Sequence, residues 1–230
     1  MQADATTVQG ELERALLVIL GQAVRIVGAG RTDAGVHATG QTISFRAANA
    51  PDVADLARGV NALLPEDIAV SELEVADEDF HARFSATGRT YEYRIRNAPS
   101  RRPLERHREH WLPEPLDLRA MRAASALLVG RHDFAAFAAG SSGERSVRRA
   151  DWERDGTLLR LTIEADAFLR GMVRGIVGTM IWVGRGKIGA ERVGEILAGR
   201  DRSQAGPSAP ARGLCLVAVR YERGERGEGK

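Results

Sequence analysis

With 230 residues, 43% of them hydrophobic, the chain is long enough for one large domain or two smaller ones with cores of their own. Its 33 Lys and Arg nearly balance 31 Asp and Glu, for a net charge of +2, so bulk charge does not mark a nucleic-acid binder and a basic surface would have to come from segregated charge. One cysteine, Cys215, excludes an internal disulfide, and no Cys/His group has zinc spacing, which fits a reducing, cytoplasmic setting.

The start, MQADATTVQGELERALLVIL, is polar and acidic where an export signal needs a basic region followed by an apolar block. Val8, Leu12, Leu16 and Ile19 recur at helical spacing and predict an amphipathic helix, followed by a short strand over Ala23 to Val27. A strand is expected over Gln41 to Phe45, a helix over Val53 to Leu64 stopped by Pro65, and a strand over Ile68 to Val75. The polar stretch Ala76 to His81 then sets a domain boundary near residue 80. Beyond it, alternating Tyr91, Tyr93 and Ile95 predict a strand over Thr90 to Arg96. An Arg/His/Pro-rich segment, Ser100 to Pro115, leads to a helix near Leu116 to Val129. An Asp155-Gly156 turn joins Val147 to Glu153 with Leu158 to Glu164 in an antiparallel hairpin. Two helices follow, near Phe168 to Val183 and Ala190 to Ala198. The first is the longest apolar stretch, but Arg170 and Arg174 interrupt it and it is too short to span a bilayer, so it reads as a buried helix. A last strand, Gly213 to Tyr221, precedes a polar tail, ERGERGEGK, that is expected to be disordered.

The segment GAGRTDAGVHA, Gly28 to Ala38, concentrates what chemistry the sequence offers. Glycines at 28, 30 and 35 surround Arg31, Asp33 and His37 between two predicted strands. Glycine lets a backbone turn tightly and approach a ligand, and loop amides can hold a carboxylate ionised, which makes Asp33 a candidate nucleophile. Three rivals stand beside that reading. A phosphate loop would need GxGxxG before a helix or a pattern ending in Lys-Ser/Thr, and neither is present. A metal site at Asp33 and His37 lacks a third ligand at a recognisable spacing. Asp33 could also simply form a turn by bonding its own backbone. Elsewhere, arginine dominates the basic set, with lysine only at 187 and 230. Its planar fork suits phosphates and bases, although codon bias accounts for the same composition.

The loop GRTDAGVHA resembles the signature loop of the tRNA pseudouridine synthases that act at positions 38 to 40 of tRNA. Five further segments resemble the same family in the same order: NALLPEDIAV, FHARFSATGRTYEYRI, GRHDFAAF, AFLRGMVRGIVGTMIWVGRGK and APARGLCLVAV. The resemblance implies an α+β pseudouridine synthase fold. It has two domains, 1–80 with the RTD loop and 81–230 with the YxY strand and MVR helix. Each is a mainly antiparallel sheet with helices on one face, and the active site lies in the cleft between them. It implies an isomerase that needs no cofactor and no metal, works as a homodimer on the anticodon arm of tRNA, and has no membrane partner. Residue by residue, it makes Asp33 the nucleophile and Arg31 the arginine that helps displace the target nucleotide from its stack. Tyr91 lines the pocket against the base, and Arg174 of the MVR triplet pairs with the aspartate. Tyr93 is expected to point the opposite way from Tyr91, so that one of the two belongs to the core. Arg101 to His110 and Arg145 to Arg149 are candidate contacts to the RNA backbone. His37, His81 and Arg83 resemble positions near the cleft but are equally well accounted for by structural hydrogen bonds.

Two departures from the family's pattern are visible. The family's opening strand with a YDG motif and its GWQ-like turn have no counterpart, which leads to the expectation of a missing edge strand through a misassigned start or a truncated chain. Gly171 and Gly175 stand where larger polar residues are usual around the MVR triplet, so contacts there are expected to differ.

Overall fold

The computed structural model describes residues 6–49 and 51–222. In chain order its elements are α1 (Val8–Leu20), β1 (Val27–Gly28), β2 (His37–Ala38), β3 (Ile43–Ser44), α2 (Val53–Leu63), β4 (Ala86–Asn97) and β5 (His110–Leu112). They continue with α3 (Leu118–Ala126), β6 (Gly130–Asp133), β7 (Glu144–Asp155), β8 (Leu158–Ala165), α4 (Met172–Gly184), α5 (Arg192–Gly199) and β9 (Leu214–Tyr221). The expected tail lies, from residue 223 on, outside the described residues. The mixed α+β class of the sequence reading is what the chain adopts, and antiparallel pairing dominates its large sheet.

The described residues form two compact units, one within Met1–Ala29 and Thr42–Ser85 and the other within Gly30–Gln41 and Ala86–Lys230. Residues 30–41, which the sequence reading kept with the N-terminal half, group with the second unit because β2 pairs in parallel with β9.

In the first unit, Thr7 caps α1 through its side chain and Asp52 caps α2, each accepting from a first-turn amide that would otherwise be unpaired. The apolar stripes of both helices bury Leu12, Leu16, Leu56 and Val60 together with Ile26. Its ladder is small: β1 and β3 pair antiparallel over two residues each. Two of the expected strands are shortened or absent here for the same reason. Over Ala23 to Val27, the amide of Ile26 donates to Glu13 Oε1 and its carbonyl accepts from Gln9 Nε2, both on α1. Over Ile68 to Val75, the Asn61 side chain takes both backbone groups of Val70, at 2.8 Å each. Side chains satisfy what a neighbouring strand would have satisfied, so the apolar residues pack inward without a ladder.

A seven-stranded sheet organises the second unit, with order β2-β9-β4-β8-β7-β6 and β5 paired to β4. Strand β4 is central. β8 runs antiparallel along one edge, while β9 takes its first part antiparallel and β5 its last three residues in parallel on the other. The hairpin of β7 and β8 turns at Gly156 and Thr157, one residue later than expected, with Gly156 at φ 55°. Helix α4 is the buried helix the apolar stretch predicted, and it packs with α3 into a core that includes Trp152, Phe134, Phe137 and Ile163. Three short strands escaped the sequence reading: β2, β5 and β6 are two to four residues long and carry His, Arg and Asp rather than β-branched runs.

One feature of α4 decides its packing. Cβ atoms added to Gly175 and Gly178 would fall 2.2 Å from the Phe137 carbonyl oxygen and 1.7 Å from that of Pro207. The helix therefore lies directly against two backbone segments, which only glycine permits. Gly175, a departure from the family's pattern, is accounted for by that contact.

Candidate active site

Residues 30–41 form a loop whose far end is tied to the second unit's sheet. At its far end β2 pairs with Cys215 and Leu216 of β9, and the amides of Thr39 and Gly40 both donate to the Leu216 carbonyl. Gly40 is required there, since a Cβ would meet the Val217 oxygen at 2.2 Å. The loop is also closed on itself, because Gln41 Nε2 donates to the Gly30 carbonyl at 2.7 Å.

Within the loop, the Val36 amide donates to the Asp33 carbonyl at 3.0 Å, making residues 33–36 a β-turn. Gly35 sits third in it at φ 79°, the left-handed conformation that a type II turn demands at that place. The turn places Asp33 at its first corner with the side chain 38% exposed. Asp33 thus opens a turn through its backbone carbonyl, while its carboxylate bonds Arg174 and not its own backbone.

Arg174 Nη1 donates to Asp33 Oδ2 at 3.2 Å across 141 positions of sequence. Arg174 lies near the start of α4, whose N-cap residue Gly171 takes the left-handed conformation. Its guanidinium does not hang free: Nε donates to the Ala209 carbonyl at 2.7 Å, and the Ala209 amide donates back to the Arg174 carbonyl at 2.9 Å. One edge of the fork is thereby fixed on backbone while the other reaches the carboxylate. Arg170, one turn earlier, is exposed.

Tyr91 is buried on β4 and close to the loop, for its hydroxyl is 4.0 Å from where a Gly30 Cβ would stand. Its hydroxyl pKa is raised, first by burial, against the lowering pull of Arg89, with further raising by the negative charge of Asp33 and by Cys215. Phe168 meets the Tyr91 ring edge-on with centroids 5.1 Å apart. Arg31 is exposed and no described residue bonds its side chain. Tyr91, Arg174 and Asp33 are brought to one place within the second unit, and Arg31 stands two residues from the aspartate on the same loop.

The expectation that Tyr93 faces away from Tyr91 is corrected. Side chains alternate with period two along a strand, so Tyr91, Tyr93 and Ile95 share one face, and all three are buried while Glu92 and Arg94 between them are half-exposed. Tyr93 is fully buried and donates to the Pro210 carbonyl at 2.8 Å. His37 Nε2 bonds the His107 carbonyl oxygen at 2.6 Å, a structural role, and His81 Nδ1 accepts from the amides of Arg83 and Phe84.

Sequence reasoning assigned Phe168, Gln41 and the stretch Ala209–Gly213 no site role, although the last stands within the segment APARGLCLVAV that resembles the family. The last had a usable signal in its Pro-Ala-Arg-Gly turn composition before β9. Among the described residues, no group of three or more His, Cys, Asp and Glu gathers as a metal site would require, and no helix is long and apolar enough to cross a membrane.

A carboxylate on a tight turn, paired with a fixed guanidinium and flanked by a buried tyrosine, can serve as a nucleophile toward an electron-poor carbon. Comparison with known proteins identifies the family. A family model described as tRNA pseudouridine synthase matches residues 1–85 and 124–222, segments that include Arg31, Asp33 and Arg174 but not Tyr91. A protein named tRNA pseudouridine synthase A from Chloroflexus aurantiacus is 48% identical over 97% of this chain and 83% of its own length. Proteins of the same name from Moorella thermoacetica and Acetivibrio thermocellus are 43% and 42% identical, each over 96% of this chain and 91% and 92% of their own.

Proposed function

The chain belongs to the tRNA pseudouridine synthase family, and from that premise we propose that it isomerises uridine to pseudouridine in the anticodon arm of tRNA with Asp33 as nucleophile. The observation that carries the assignment of Asp33 is its ion pair with a backbone-anchored Arg174 on a glycine-built turn.

The reaction breaks the N1–C1′ bond, turns the base and forms a C5–C1′ bond. C5 gives up its proton and N1 gains one, so atoms and electrons balance with no oxidant, reductant or cofactor. Attack of the carboxylate at C1′ and addition at C6 of the base both require an anionic oxygen at the same place, and Arg174 supplies the counter-charge. Tyr91 packs against the flipped base, and its protonated hydroxyl can take up the C5 proton only as it passes its own proton to a basic acceptor beside it, such as the Asp33 carboxylate. Arg31, exposed and unbonded by described residues, enters the space the base leaves and offsets part of the unstacking cost.

The same reading takes the target as positions 38, 39 or 40. It includes a homodimer and a cytoplasmic setting. The test is conversion of unmodified tRNA carrying uridine at those positions, with and without chelator, by wild type beside Asp33→Asn. Conversion by wild type alone is expected. Conversion by both would remove Asp33 from the mechanism, and arrest by chelator alone would replace isomerisation with metal chemistry.

A further inference from the structure

The five residues Ala209–Gly213 touch every part of the Arg174–Asp33 arrangement. Ala209 binds Arg174 through both its amide and its carbonyl, at 2.9 and 2.7 Å. The Ala211 methyl is 3.5 Å from where a Gly35 Cβ would lie, against the turn that carries Asp33. Arg212 Nε donates to the Glu109 carbonyl at 3.3 Å. Gly213 is pressed on the Tyr93 ring, where a Cβ would meet Cζ at 2.7 Å. Pro210, in the middle, has no amide to anchor the stretch, and its carbonyl accepts from the Tyr93 hydroxyl at 2.8 Å.

We propose that Tyr93 is a positioning residue for the isomerisation: by donating to the Pro210 carbonyl it fixes Ala209–Gly213, and through that segment the separation of Arg174 and Asp33. The inference rests on the function proposed above. Tyr93 suits this role because it is fully buried on the central strand, flanked by pairing on both sides. Burial raises its hydroxyl pKa well above the ordinary value, against the lowering pull of Arg212 and Arg174, so it stays a donor throughout the working pH range. It touches neither the substrate nor the carboxylate. Its effect is geometric, and misplacement by about 1 Å away from the chemistry costs on the order of 100-fold in rate. Loss of one anchor among several is expected to cost about 10-fold.

The experiment measures single-turnover conversion of tRNA at saturating enzyme, together with the half-saturating concentration and the melting temperature. It compares wild type, Asp33→Asn, Tyr93→Phe, Arg174→Lys and the double variant Tyr93→Phe/Arg174→Lys. Tyr93→Phe is expected to slow the maximal rate about 10-fold with half-saturation unchanged, and the double variant to be no slower than Arg174→Lys. Incorporation of 4-aminophenylalanine at position 93, which restores an N–H donor, is expected to recover the rate to within about threefold of wild type. A wild-type rate in Tyr93→Phe, losses that multiply in the double variant, or a loss confined to half-saturation would overturn the inference. Should Tyr93→Phe fail to fold, Ala211→Gly decides, since an unchanged maximal rate there refutes control through this segment. The outcomes separate from those of the underlying reading: an active Asp33→Asn removes the nucleophile, whereas an inactive Asp33→Asn beside a fully active Tyr93→Phe removes only the positioning role.

Discussion

Replacing Gly178 by alanine tests the packing of α4 in the most direct way. The added methyl would stand 1.7 Å from the Pro207 carbonyl oxygen, and ordinary C···O contacts begin at about 3.3 Å, so helix and segment must part by about 1.6 Å. Neither side yields freely. Val177, Met180 and Ile181 are buried around Gly178, and the 206–209 segment is held by Gly206 N to Thr179 Oγ1 and by Ala209 N to Arg174 O, both 2.9 Å. Overpacking of this kind costs about 3 kcal/mol at the upper end of the usual range. A strained Gly206–Thr179 bond adds about 1 kcal/mol. The better helix propensity of alanine returns about 1 kcal/mol. The net of about 3 kcal/mol corresponds to a fall in Tm of about 6–12 °C for a chain of this size. Gly199→Ala is the control, because nothing lies within 4 Å of its added Cβ and the propensity gain stands alone. Calorimetry of the two variants should therefore move Tm in opposite directions, or leave the control unmoved. A Gly178→Ala protein that melts with wild type would refute the reasoning. Because Ala209 is two residues from Pro207, the conversion rate should fall in Gly178→Ala as well.

The remaining predictions concern buried charge. Arg96 and Glu109 form a bidentate pair, 2.7 and 2.8 Å, with both side chains buried. Glu109→Gln should cost about 3–5 kcal/mol by stranding the guanidinium, while Arg96→Met/Glu109→Leu should cost much less. Equal urea midpoints for the two variants would contradict this. His110 has its pKa lowered to about 4 by burial first and then by Arg212 and Arg185. The unfolded chain therefore takes up this proton near 6.5 and the folded protein only near 4, so stability is lost as pH falls through that window. The loss amounts to about 1–2 kcal/mol after discounting for the ring's partial exposure. Denaturation at pH 7 and pH 4.5 checks it, since His110→Gln should show a smaller acid loss than wild type; identical losses would exclude His110 as a source.

The elements that could be read from sequence were those whose signal is carried by side chains facing a core. Leu12 and Leu16 mark α1, the alternation of Tyr91, Tyr93 and Ile95 marks β4, and Asp155-Gly156 marks the hairpin to within one residue. Failures arose where a polar side chain replaced a strand as the backbone's partner, as Asn61 does for Val70, because apolar composition alone does not reveal which group will pair with an amide. β2 was illegible for the converse reason: it is made by pairing with β9, and a two-residue His-Ala strand has no propensity of its own.

The same division runs through the candidate site. Asp33 and Arg174 could be named in advance because their chemistry resides in side chains and in the motifs around them. The parts that hold them do not: Ala209 acts through its amide and carbonyl, Pro210 through its carbonyl, and Gly178 by lacking a side chain where Pro207 comes close. Almost any residue offers a carbonyl, so no pattern of residue types points to Ala209 as the group that orients an arginine 35 positions away. Only the fold selects it, by bringing β4, α4 and the approach to β9 together. Substitutions at Ala209 itself would therefore report little unless they alter backbone conformation, and informative variants lie at Tyr93, Gly178 and Ala211, whose side chains, or want of one, set where that backbone runs.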